Sequence, residues 1–390
     1  MTNRRDLCGA IDRSLDEAVG AVSGAVIVLQ QGGQTLYHEA RGAAAFAPDF
    51  PLRKDNVFGI FSLTKPVIAA CACNLIAEGR IRADDKISAY IPGFAVPRGV
   101  RRLKSGFSYP NPADPNAPEP QYDIEPAERD LTIHDFLSST SGLQTIGIPN
   151  ASVPPVAPED SLGSWVERLG AATLEFQPGS QWHYSNATGF EVVARVVEIA
   201  AGMSIGDYAS KILFGPLGMS NTTFGKPDDA SKLVPLGPLE GAPFVSGRFQ
   251  SGSAGLFATA EDYCKFANML LQMGRVGDNR ILASDAVSLM MQNQIGDLAF
   301  PGVRVRDYAT PGPYQRSGFT YGYGVAISEN PTQTDARLPA GSYGWDGIGT
   351  RRLWVIPKYD AVLLMLADGF GDGADDLHRK IETIVSSAFA

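Results

Sequence analysis

Residues 61–66 read Phe61-Ser62-Leu63-Thr64-Lys65-Pro66, and they decide how the rest of the chain is read. They contain the chain's only S-x-x-K tetrad. Proline is tolerated in a helix only within the first turn, so Pro66 fixes a helix start here. The pattern predicts a helix over about 63 to 78, stopped by Gly79 just past its end. A serine at that start faces the positive end of the helix dipole, which favours an alkoxide or oxyanion nearby. Lys65, three residues on, shares its face. Its amine can therefore lower the cost of deprotonating Ser62. Taken alone, the tetrad describes equally well an N-cap serine beside a solvated lysine.

Three other stretches carry chemistry-bearing residues. Gln181-Trp182-His183-Tyr184-Ser185-Asn186 places a Y-x-N just before a helix expected over 189–200. A tyrosine beside a lysine can serve as a phenolate base, because a neighbouring positive charge lowers its pKa. Asn186 has an amide to offer to substrate or lysine. Tyr109-Pro110-Asn111 repeats the pattern in a proline-rich stretch with no scaffold behind it. Tyr343-Gly344-Trp345-Asp346-Gly347-Ile348-Gly349-Thr350 is dense in glycine, which lets backbone approach a ligand closely. Gly202-Met203-Ser204-Ile205-Gly206 fits the G-x-S-x-G nucleophile elbow, with His378 downstream. That elbow needs a strand before its serine. What precedes Ser204 is the 189–200 helix, with Glu191, Arg195 and Glu198 on one face and Phe190, Val193, Val197 and Ala200 on the other. Ser204 therefore reads as a helix cap between two helices.

Outward from these motifs the chain reads as strands near both ends with helices between. A helix over 6–20 is followed by strands at Ala25–Gln30 and Gln34–Arg41, joined by Gly32-Gly33. A second amphipathic helix is expected over 260–273. Strand character returns at Gly322–Ile327, Arg352–Ile356 and Ala361–Ala367, and a helix over about Ala374–Phe389 closes the chain. Residues 95–130 are proline-rich and aperiodic, with Phe107, Tyr109 and Tyr122. They are equally a cavity rim or a surface insertion.

Composition excludes several classes. At 390 residues and 44% hydrophobic, the chain is long and apolar enough for a large core. Lys+Arg 33 against Asp+Glu 42 leaves a net charge of −9 without any long basic run, so neither nucleic acid nor an anionic membrane is an expected partner. Four cysteines do not make a disulfide framework, and four histidines show no metal-ligand spacing, so no metal or cofactor is expected. The N-terminal stretch is interrupted by Asp6, Asp12, Asp16 and Glu17, and no segment approaches the ~20 apolar residues of a membrane span. The expectation is a cytoplasmic protein.

Taken in order, Ser62/Lys65, Tyr184/Asn186 and Trp345/Gly347 resemble the S-x-x-K, Y-x-N and K-T-G elements of the penicillin-recognising serine hydrolases. A tryptophan in place of the K-T-G lysine is similar to the family VIII carboxylesterases and the related lovastatin-type acyltransferases. Leu137–Leu143, Gly215–Met219, Gly252–Leu256 and Thr259–Tyr263 agree, so the resemblance covers most of the chain. It departs at Asp346, a position that is usually glycine in the esterases, and at Ser139, where relatives commonly have histidine. Strand alternation lets Asp346 point away from the face that carries Trp345 and Gly347.

The resemblance implies an α/β (α+β) β-lactamase-like fold: an antiparallel sheet flanked by N- and C-terminal helices, with an inserted mostly helical domain. Residues 1–60 with 300–390 would form the sheet domain and 61–299 the helical one. It also implies roles. Ser62 would be the acylated nucleophile, with Lys65 and Tyr184 as base system and Asn186 hydrogen-bonding near them. The backbone N–H groups of Ser62 and Ile348 would form the oxyanion hole, and Trp345 and Gly347 would line the substrate site. The expected activity is serine carboxylesterase action on small to medium esters. Acyl transfer, β-lactam or amide hydrolysis, and a catalytically silent binding protein are the alternatives. Arg351 and Arg352 are candidates for binding a substrate carboxylate. Oligomeric state is left open.

Overall fold

The computed structural model describes residues 4–18, 22–105, 120–144, 150–300, 318–330, 338–369 and 372–390. An eight-stranded antiparallel sheet runs in the order Phe319–Tyr321, Ala326–Ser328, Tyr343–Gly347, Arg351–Ile356, Ala361–Asp368, Gly24–Gln31, Gln34–Ala44, Ala47–Pro51. The two chain ends thus meet at its centre, where Gly24–Gln31 pairs with Ala361–Asp368. Every residue of Arg351–Ile356 and Ala361–Asp368 is buried, which is why Leu353–Ile356 and Ala361–Ala367 read as unbroken apolar runs. Alternation splits their side chains between two cores. Ile27, Leu29, Leu363 and Met365 pack with Leu7, Ile11, Leu377 and Ile381 of the terminal helices Arg4–Ala18 and Asp372–Phe389. Val26, Val28, Leu364 and Leu366 belong to the opposite core, with the helices Thr64–Ala77 and Ala260–Leu271.

Thr64–Ala77 is central to that second core, and its residues from Thr64 to Leu75 are all buried. A helix buried on every side needs no polar face, so the amphipathic signal is absent here. Gly79 ends it with φ +69°, and Arg80 N–H returns to Leu75 O at 2.9 Å. Among the described residues no helix is long and apolar enough to cross a membrane.

Two expectations need correction. The strand expected over Gly322–Ile327 is a hairpin: Phe319–Tyr321 and Ala326–Ser328 pair across a turn in which Gly322 N–H donates to Val325 O and Gly324 has φ +73°. Gly322 also lies so close to Met290 O that a Cβ would stand 1.9 Å from it. The stretch between the strands, expected to be helical, is also broken into short pieces. Short helices such as Ile133–Leu137, Leu162–Leu169 and Ser284–Met291 are separated by loops and 3-10 turns. Of the 95–130 stretch, Gly99–Leu103 and Tyr122–Pro126 form a small hairpin. Phe107 and the Tyr109-Pro110-Asn111 motif lie outside the described residues.

Candidate active site

Ser62 occupies a 3-10 turn, Phe61–Leu63, immediately before the Thr64–Ala77 helix. Phe61 sits in the left-handed region at φ +47°, a strained conformation for a non-glycine residue. The surroundings hold it there. Ile60 N–H donates to Leu256 O at 3.0 Å, Tyr263 OH donates to Leu63 O at 2.6 Å, and Leu256 N–H donates to Thr64 Oγ1 at 3.1 Å. The Phe61 ring packs edge-on against Phe244 and lies under the Arg351 guanidinium. The result is a half-buried serine on a rigid corner.

Lys65 is fully buried behind that corner. Its Nζ lies 3.2 Å from Ser62 Oγ and donates to two backbone carbonyls, Asn186 O and Ser253 O, each at 2.9 Å. Burial drives this amine down to about 7, against the pull of Glu191 in the opposite direction. The solvated-lysine reading of the tetrad is therefore set aside. Tyr184 OH donates to Ser62 Oγ at 2.8 Å, and Lys65 Nζ stands 5.0 Å from its ring centroid. Tyr184 keeps part of its ring open to the cavity, yet burial pushes its hydroxyl up to about 12, outweighing the Ser62 hydrogen bond. The expected phenolate at rest is thus disfavoured: between the two groups, the lysine gives up its proton first.

Asn186 reaches this cluster differently from the expectation. Its backbone carbonyl, rather than its side-chain amide, meets Lys65, while the residue lines the cavity. The Tyr184–Asn186 segment is fixed from below by the 139–143 loop. His183 N–H donates to Ser139 O, and Ser185 Oγ and Thr188 Oγ1 donate to Leu143 O.

The third wall is the strand Tyr343–Gly347. A Cβ on Gly347 would stand 2.6 Å from Ile60 O, so only glycine lets this strand lie against the Ser62 corner. Trp345 packs on Tyr184 with centroids 5.2 Å apart. Asp346 faces its cross-strand partner Arg352, which grips it at 2.8 and 2.9 Å. Arg351 is buried and bound to Asp368 at 3.0 Å and to Gly349 O at 2.6 Å. Both arginines are engaged within the protein.

Ser62, Tyr184, Asn186, Trp345, Gly347 and Ile348 line one cavity of about 570 Å³. Its walls are largely apolar, with Val153, Val156, Trp165, Phe249, Leu239 and Phe244 among them. No described residue of 95–130 lines it. Ser204 is not part of it: the hydroxyl caps the helix Ile205–Ala209, accepting from Asp207 N–H, and Gly202 before it takes φ +70°. His378 does line the cavity.

Sequence reasoning missed Glu191. Helical periodicity assigns it to the charged face, but it is 2% exposed and bonded to the 251–253 turn. Nothing local marks it, because the groups that bury it lie at residues 251–253.

The chain matches the beta-lactamase family over residues 11–385. It is 26% identical over 384 residues to esterase EstB of Burkholderia gladioli, covering 88% of this chain and 85% of EstB. It is 26% identical over 365 residues to the lovastatin esterase of Penicillium rubens, covering 87% and 86%. Among solved structures, EstCE1, described as a hydrolase with promiscuous acyltransferase activity, superposes with a TM-score of 0.75. It covers 98% of this chain and 99% of its own at 20% identity, a likeness of fold. Matched along nearly its whole length and built around a Ser62–Lys65–Tyr184 cluster, this chain belongs to the beta-lactamase family.

Proposed function

We propose that this serine hydrolase cleaves neutral small to medium esters through an acyl-enzyme on Ser62, with Lys65 as the base and Tyr184 as the proton carrier. The observation that carries the reading is that Lys65 Nζ and Tyr184 OH both lie within hydrogen-bond distance of Ser62 Oγ. Lys65, held near neutrality by burial, takes the Ser62 proton as Oγ attacks the ester carbonyl carbon. The backbone N–H groups of Ser62 and Ile348 receive the oxyanion. The C–O bond then breaks, and Tyr184 gives its proton to the departing alkoxide while Lys65 replaces it. Water attacks the acyl-enzyme by the reverse proton path and releases the acid.

A cavity of about 570 Å³ falls in the range of small-molecule sites, and its apolar walls suit uncharged acyl and alcohol groups. The same walls favour a second acceptor, an alcohol that competes with water for the acyl-enzyme. One experiment tests both. Purified protein is given p-nitrophenyl esters of rising acyl length with and without 1-butanol, and acid and butyl ester are quantified. Hydrolysis of at least one neutral ester supports the reading, and butyl ester formation adds acyl transfer. No turnover on any ester contradicts it.

A further inference from the structure

Glu191 is a buried charge for which the mechanism above has no use. It sits in the first turn of the helix Gly189–Ala201, where the dipole favours an anion. Both its oxygens are committed to one short turn. Ser251 Oγ donates to Oε1, Gly252 N–H to Oε2 at 2.6 Å, and Ser253 N–H to Oε1 at 3.3 Å. Gly252 lies so close to the helix that a Cβ would stand 2.3 Å from Phe190 O. The same turn presents Ser253 O to Lys65 Nζ at 2.9 Å. Ser253 therefore bridges the two charges with a single residue, donating its N–H to Glu191 and accepting from Lys65 at its carbonyl.

We infer that Glu191 is a positioning residue for Lys65: it fixes the Ser251–Ser253 turn that holds the amine beside Ser62, and its negative charge sets the pH at which that amine becomes a base. Three donors converge on both oxygens, a demand that a carboxylate meets and an amide with its single oxygen does not, so the turn that holds Lys65 also keeps an acidic group buried close to the amine. The titratable groups facing Lys65 are Glu191 from the Gly189–Ala201 helix and Tyr184 from the segment before it. The 251–253 turn contributes only hydroxyls and backbone. Burial pushes the Lys65 amine down and the Glu191 carboxyl up, and the charge of each opposes that drift in the other. Without the carboxylate, only hydrogen bonds to neutral partners oppose the burial of Lys65, so its proton is lost at lower pH.

The inference rests on Ser62 and Lys65 acting as nucleophile and base. Its test is the pH dependence of kcat/KM for p-nitrophenyl butyrate in wild type, Glu191→Gln and Glu191→Asp, with Ser62→Ala alongside and folding checked by circular dichroism. Glu191→Gln keeps the size, removes the charge and leaves the turn one acceptor fewer, while the acid limb reads the charge alone. Its acid limb is expected to move to lower pH by about one unit or more, with plateau kcat reduced at least ~10-fold as the weaker base and looser turn take effect. A folded Gln variant with an unmoved acid limb overturns the inference. Should the Gln variant not fold, the Asp variant decides. It keeps the charge, so its acid limb should stay within a few tenths of a unit of wild type, and a clear downward displacement overturns the inference. Turnover by Ser62→Ala would instead defeat the nucleophile reading, whatever Glu191 does.

Discussion

Asp346 stands directly across the antiparallel ladder from Arg352, and the guanidinium holds it by two hydrogen bonds of 2.8 and 2.9 Å. The remaining edge of that guanidinium meets Glu382 at 3.2 Å, and Glu382 also accepts from Trp354 Nε1 at 2.7 Å. Arg351 is turned to Asp368. The carboxylate that looks out of place in the sequence is therefore neutralised, and it occupies the cation best placed to recognise a substrate carboxylate. Asp346→Asn removes one of the two carboxylates on Arg352, leaving Glu382, and makes the cavity wall less negative. The expected result is a rise of about fivefold in kcat/KM for a carboxylate-bearing chromogenic cephalosporin relative to p-nitrophenyl butyrate, the effect of ~1 kcal/mol of partly screened attraction. An unchanged ratio in the two assays contradicts this.

The opposite displacements of Lys65 and Tyr184 predict a particular pH profile. Lys65 acts when neutral, so kcat/KM should climb as pH rises through about 7 and be lost below it. Tyr184, pushed up to about 12, should impose no alkaline limb in the neutral range. Lys65→Arg stays charged at all working pH, and should lose at least ~10³-fold in kcat without recovery at high pH. Rates followed between about pH 5 and 10 check both statements.

Tyr184→Phe removes one hydroxyl and keeps the ring that packs on Trp345. The expected loss in kcat is at least ~10²-fold, the low end for a general acid–base group, with thermal unfolding little changed. A near-wild-type rate would take Tyr184 out of the proton path.

Gly347→Ala places a methyl group 2.6 Å from Ile60 O, and backbone must give way on one side or the other. Either movement separates Ile348 N–H from the Ser62 corner. The predicted cost is ~10-fold to 10²-fold in kcat, in the range for losing or misplacing one oxyanion donor. A crystal structure of the variant should show the Tyr343–Gly347 strand displaced from Ile60.

Much of this site was legible because its parts are local. Ser62, Lys65 and Pro66 share one helical turn, and their spacing alone sets serine and lysine on a common face. The strands that meet at the sheet centre, Gly24–Gln31 and Ala361–Asp368, announced themselves by continuous apolar runs. What escaped depends on contacts far apart in sequence. That Asn186 offers its carbonyl is fixed by the 139–143 loop beneath it, and that Glu191 turns inward is fixed by residues 251–253. Helical periodicity also treats every charge as a surface charge, and the buried acid at Glu191 breaks that rule. The Phe319–Ser328 hairpin was obscured because a glycine turn and two three-residue strands look like one strand in a linear pattern.

In the proposed mechanism the acyl group is carried by Ser62. Wild type, Ser62→Ala and Ser204→Ala should each be mixed with p-nitrophenyl butyrate, quenched in acid within the first turnovers and weighed intact by mass spectrometry. One added butyryl group is expected on wild type and on Ser204→Ala, mapped by peptide digestion to residue 62, and none on Ser62→Ala. A butyryl group on the Ser62→Ala protein, or its loss only in Ser204→Ala, would rule out Ser62 as the nucleophile.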